Sequence, residues 1–104
     1  MDYESDFVYM IPLNTGETQV FFEDIVHVPA RIRGALIANK DSSKKIDFLI
    51  KDPKGHHVLN SYSKEYIFDF TTNLVGKFSF EFKSKKVLTL FFIKATDNNN
   101  IYNE

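Results

Sequence analysis

Apolar and polar side chains take turns in short stretches along this chain, and turn residues separate the stretches. Lys45 to Lys51 shows the pattern most cleanly. Ile46, Phe48 and Ile50 fall on one side of an extended backbone, and Asp47 and Lys51 fall on the other. A period of two is what a half-buried strand produces. Gly76 to Lys83 repeats it, with Phe78, Phe80 and Phe82 predicted inward and Ser79, Glu81 and Lys83 outward. Glu65 to Thr71 places Tyr66, Phe68 and Phe70 on a shared face. Five further segments read as strands: Phe7 to Leu13, Gln19 to Val28, Arg31 to Ala38, His56 to Ser61 and Val87 to Ala95.

The separators carry their own signals. Asn14-Thr15-Gly16 and Asn39-Lys40-Asp41-Ser42-Ser43 are turn and loop compositions. In Asp52-Pro53-Lys54-Gly55, proline presets φ at the second position and glycine tolerates a positive φ near the end. Pro29 marks an edge, a bulge or a strand's end. No segment sustains a helical period. About eight strands at intervals of roughly 8–12 residues predict an all-β antiparallel sandwich or barrel. Phe48, Phe68, Phe70, Phe78, Phe80 and Phe82 are the predicted core.

At 104 residues the chain is one domain, 1–104. Its core is expected over about 7–95, and 96–104, rich in asparagine, as a flexible tail. Eleven Phe and five Tyr supply the core without any Trp. A net charge of -1 removes a general attraction for nucleic acid or anionic lipid. The absence of cysteine removes disulfides, thiolate nucleophiles and cysteine-based zinc sites, and it favours a reducing compartment. The acidic start, Met1 to Asp6, is unlike a signal peptide, and no apolar run approaches the ~20 residues of a transmembrane helix. The expectation is a soluble cytoplasmic protein.

Candidate chemistry is sparse. His56 and His57 are adjacent on a strand and point apart, and His27 lies elsewhere, so no metal set forms. Glu23, Asp24 and Asp69 lack the companions of an acid/base pair and read as solvated surface charge. Gly76 to Phe82 has the look of an RNA-binding strand, but Glu81 and the near-neutral charge favour core packing. Neither a catalytic set nor a cofactor site is expected. Lys40, Lys44 and Lys45 surround one loop, and Lys83, Lys85 and Lys86 another. If the loops share an end, they form a basic rim for an acidic or anionic membrane surface. Otherwise these lysines keep strand edges soluble.

Three segments in fixed order, Gly16 to Asp24, Asp52 to Gly55 and Gly76 to Phe82, resemble the GOLD (Golgi-dynamics) domain. The resemblance covers about Phe7 to Ala95. It implies a jelly-roll-like β-sandwich used in protein interaction, found in cargo receptors of the early secretory pathway and in cytosolic modules. Secretory members carry two bridged cysteines, whose places fall here on Val20 and Glu81. The reading that follows is a non-enzymatic protein-interaction module, an adaptor or small subunit of an intracellular assembly. The alternative is a trafficking adaptor that binds lipid or phosphoinositide. Two aromatic pairs, Phe21/Phe22 and Phe91/Phe92, are the candidate partner anchors, since neighbours on a strand cannot face the same core.

Overall fold

The computed structural model describes residues 5–39 and 45–98. Its regular elements there are eight strands: β1 Ser5–Leu13, β2 Thr18–Ile25, β3 Ala30–Ala38, β4 Ile46–Lys51, β5 His57–Ser63, β6 Glu65–Thr72, β7 Gly76–Ser84 and β8 Leu88–Asn98. They form two antiparallel four-stranded sheets, in the orders β1-β8-β3-β6 (sheet A) and β2-β7-β4-β5 (sheet B). Only β4 and β5 are joined as a hairpin. Every other connection crosses from one sheet to the other, which is the double Greek key of a jelly roll.

The hairpin shows how local chemistry sets the topology. The Gly55 amide donates to the Asp52 carbonyl, and the Asp52 amide donates to the carbonyl of His56, both at 2.9 Å. The Asp52 carboxylate accepts from the amides of Lys54 and His56, each at 2.9 Å. Partial desolvation works against ionisation of this carboxyl, but those amides and His56 hold it below its usual range. Gly55 adopts φ +86, which a side chain would strain.

Between the sheets lies a continuous apolar core. Phe48, Phe78, Phe80, Phe82 and Phe92 are fully buried, together with Leu13, Ile32, Leu36, Ile46, Ile50 and Leu90. Phe48 and Phe82 are opposite each other in neighbouring strands and stack at 5.1 Å. Gly34 faces inward opposite Phe68. A methyl group there would sit on the Ile93 carbonyl and 2.5 Å from the Phe68 ring, so the missing side chain is what lets that ring lie across β3.

Several details differ from the sequence pattern. β2 ends at Ile25 rather than Val28. The apolar run continues, but Val26 is exposed and Val28-Pro29 is a cis peptide in the connection that carries the chain to the other sheet. β8 runs to Asn98 instead of Ala95, because the first half of β3 takes its partner there, through Ala30 opposite Asn98. The tail expected from 96 is therefore strand as far as 98, and 99–104 lie outside the described residues. Phe70 is half-buried, on an edge strand with its ring against Phe78 at 6.2 Å.

Candidate functional site

The two outward faces of the sandwich differ in how their apolar positions are arranged. On sheet B, outward positions follow the register Thr18–Lys83–Asp47–Tyr62 and Val20–Glu81–Leu49–Asn60. Several of the lysines there have a local partner. Lys51 pairs with Glu81 at 3.0 Å, Lys77 lies 5.2 Å from the Phe22 ring centre, and Lys45 lies 5.4 Å from that of Tyr62. A shallow depression of about 200 Å³ is lined by Thr18, Asp47, Asn60, Glu81 and Lys83 with Leu49 and Phe82. Exposed Val20, Phe22 and Tyr62 interrupt the polar positions of this face.

Sheet A is different. Reading across β1, β8, β3 and β6, one row holds Val8, Ile93, Ala35 and Ile67, and the next holds Met10, Phe91, Ile37 and Glu65. Seven of these eight positions are apolar. Val8, Met10 and Ile67 are 70%, 69% and 82% exposed, although sheet interiors and faces of this kind are normally covered. A depression of about 450 Å³ runs between β3 and β6 beside Ala35, Ile37 and Ile67. The other half of the face is polar and internally matched: Arg31 binds Asp69 through two hydrogen bonds of 2.9 and 2.6 Å, and Arg33 pairs with Asp97 at 2.9 Å. The Arg31 guanidinium holds the Asp69 carboxyl below its usual range.

Each aromatic pair splits as its strand geometry requires. Phe21 turns inward, 4.9 Å from the Tyr9 ring and 6.0 Å from that of Phe82, while Phe22 is exposed on sheet B. Phe92 is buried and Phe91 lies in the apolar patch of sheet A. The two exposed rings are thus on opposite faces of the molecule and do not form one site. Val8, Met10, Ile37, Ile67 and Ile93 were not anticipated from the sequence. Their signal was a missing alternation: β1, β3 and β8 are apolar at successive positions, as strands covered on both faces are.

The lysines are partly gathered. Ile46 pairs with Ser84, which brings Lys45 to the same end of the sandwich as Lys83, Lys85 and Lys86; Lys40 and Lys44 lie outside the described residues. Glu23 is not surface charge. It points inward on β2 and its carboxylate accepts a hydrogen bond from the Lys94 ammonium of β8, linking the two sheets. Burial pushes Lys94 down to about 8. Asp69 is on sheet A's outer face, so the three acidic candidates do not converge. Among the described residues no group of three metal-ligating side chains exists, and no helix is long and apolar enough to cross a membrane.

Val20 and Glu81 are directly opposite in the β2–β7 ladder. Opposed residues of antiparallel strands have Cα atoms about 4.5–5.5 Å apart, inside the range a disulfide bridges. A family model described as emp24/gp25L/p24 family/GOLD matches residues 9–104. The chain belongs to that family. No curated protein matches it. In this GOLD chain the cysteine positions implied by the family are neighbours in space, but they hold a valine and a glutamate. Val20→Cys with Glu81→Cys is therefore expected to oxidise and to stabilise by about 2–4 kcal/mol, because it closes a long loop in the unfolded chain. Thermal melts with and without reductant check this. Equal melting of the oxidised and reduced forms would contradict the pairing.

Proposed function

We propose that this GOLD chain is a non-enzymatic protein-interaction module, an adaptor or small subunit of a trafficking assembly on the cytoplasmic side of the membrane. The observation that carries the reading is the apolar half of sheet A's outer face, where Val8, Met10 and Ile67 are the most exposed members of two continuous apolar rows. Binding there uses Phe91, Ile93 and Ile67 as apolar anchors, with the Arg31–Asp69 and Arg33–Asp97 pairs as a polar border. The cytoplasmic assignment draws on Val20 and Glu81 standing where a lumenal relative would hold a bridge.

Phe91→Ser and Ile67→Lys, each shown to remain folded, are expected to lose the proteins that co-purify with the wild type at native expression. A second reading rests on the shared end of Lys45, Lys83, Lys85 and Lys86, where Val87 is 72% exposed at the turn tip. Each lysine near an anionic membrane contributes about 1 kcal/mol. If both sheet A variants keep every partner while charge reversal of those lysines abolishes association with phosphoinositide vesicles, the lipid-adaptor reading replaces the first.

A further inference from the structure

Resting on the lysine end of the second reading, and leaving sheet A free for its protein partner, we infer that the chain docks end-on to a bilayer of anionic phospholipid. Val87 enters the headgroup layer, and the lysines around it meet the lipid charges.

The topology makes this end basic. Four connections meet there: 13–18, 38–46, 63–65 and 84–88. Ile46 pairs with both Ser63 and Ser84, so Lys45, Lys64 and Lys85 leave the ends of three neighbouring strands of sheet B. Such strands are about 5 Å apart. Lys83 and Lys86 stand on either side of Ser84-Lys85, and all five lysines are exposed. They are five of the chain's eleven lysines. Among the described residues none of the five forms an ion pair, and Lys45 rests over the Tyr62 ring instead. Of the acids at this end, Glu17 already accepts from Asn14 and Gln19, at 3.3 and 3.2 Å. Asp47 and Glu65 lie on the flanks, on the outer faces of sheets B and A.

The net charge of -1 hides this segregation. Asp24, Asp52 and Asp97 are at the opposite end, with the 51–57 and 72–76 connections. The strands between the two ends are roughly 25 Å long, about three Debye lengths in physiological salt. A surface touching the lysine end is therefore governed by the lysines.

The turn tip selects a bilayer among anionic partners. The buried Ser84 hydroxyl donates to the Lys86 carbonyl at 2.8 Å and accepts from the Lys86 amide at 3.1 Å. The Ser84 carbonyl accepts from the Gly16 amide at 2.8 Å, which ties the turn to the 13–18 connection. The tip is thus fixed before contact, and docking has little backbone to order. It presents Val87, 72% exposed, directly after two lysines. An acidic protein or a nucleic acid offers phosphates or carboxylates to the lysines, but an apolar tip among cations suits the boundary between headgroups and acyl chains. Tyr62, exposed on the flank, has the ring and hydroxyl that favour headgroup depth. The lysines leave separate strand ends, which matches a surface of many charges better than one phosphorylated headgroup. Docked this way, the strands stand away from the membrane, and Phe91, Ile93 and Ile67 face sideways toward a protein partner.

The test is co-sedimentation of the full chain with vesicles of phosphatidylcholine alone, and of phosphatidylcholine with phosphatidylserine at roughly 3:1. The wild type is expected to bind only the second, and raised salt to release it. Lys85→Glu with Lys86→Glu is expected to weaken binding about 25-fold or more, since each lysine contributes about fivefold. Val87→Asp is expected to weaken it about tenfold. Lys54→Glu with Lys77→Glu makes the same change of charge away from this end, and is expected to stay within about twofold of the wild type. Circular dichroism confirms folding; if the turn variant unfolds, Lys45→Glu with Lys64→Glu decides. A wild type that ignores phosphatidylserine overturns the inference, as does an equal loss in the Lys54/Lys77 variant. Val87→Asp binding like the wild type overturns the insertion of the tip. A chain that ignores the vesicles but binds soluble polyglutamate overturns the bilayer in favour of an acidic protein. Phe91→Ser is expected to bind vesicles like the wild type while losing its co-purifying proteins, so failure at the vesicles leaves the sheet A reading standing.

Discussion

Phe92→Ala is expected to lower the stability of the folded chain by about 3–5 kcal/mol, the range for removing a large ring from a closed core. Its ring lies 4.8 Å from Phe82, 5.9 Å from Phe80 and 6.0 Å from both Tyr9 and Phe68, with Phe48 at 6.2 Å and Phe21 at 6.3 Å. Those neighbours belong to both sheets, so the space left behind has no single flexible side chain to refill it. For a domain of this size the loss corresponds to roughly 15–30 °C in melting temperature. Phe91→Ala is the matched control. The same residue type one position earlier points outward, and its loss is expected to cost about 1 kcal/mol or less in the isolated chain. Denaturant unfolding of both variants checks the pair. Equal losses would mean that both faces of β8 are equally covered, which would also remove the exposed apolar patch on sheet A.

That comparison explains why some of the fold was legible and some was not. β4 and β7 alternate cleanly because sheet B has its inner face on the core and its outer face in water, and a period of two records that difference. Their inward residues Phe48, Phe78, Phe80 and Phe82 are accordingly buried. β1, β3 and β8 show a weaker period because both of their faces are apolar, so extent and facing were harder to assign. β8 ran three residues past the expected end for a related reason. Asp97 and Asn98 are poor strand formers, and only the long-range partners Arg31 and Ala30 hold them in the ladder. The lysine rim was half legible: adjacency of loops depends on which strands pair, and no local pattern encodes that.

Glu23 was the plainest misreading, and it leads to the second large effect. Beside Asp24 it reads as surface charge, yet alternation puts one of the two inside, and the residue that makes this tolerable, Lys94, is 71 positions away. Glu23→Leu alone removes the carboxylate from a buried ammonium and is expected to cost about 3–5 kcal/mol near neutral pH. Glu23→Leu with Lys94→Met removes both charges and fills the space, and is expected to match or exceed the wild type by about 1–4 kcal/mol. The pH dependence follows from Lys94 lying near 8 in the folded chain against 10.5 ordinarily. Between those values the unfolded chain holds more protons, so stability contributed by this group rises with pH, by about 3 kcal/mol in all. Below pH 8 the ammonium is charged in both states and its burial cost is constant. The advantage of the double variant should therefore be greatest below pH 8 and shrink toward pH 10.5. Urea melts of both proteins across that window measure the difference, in which the other titrating groups cancel. A flat difference would show that Glu23 fully compensates the buried ammonium, and that the link between the sheets carries no net cost.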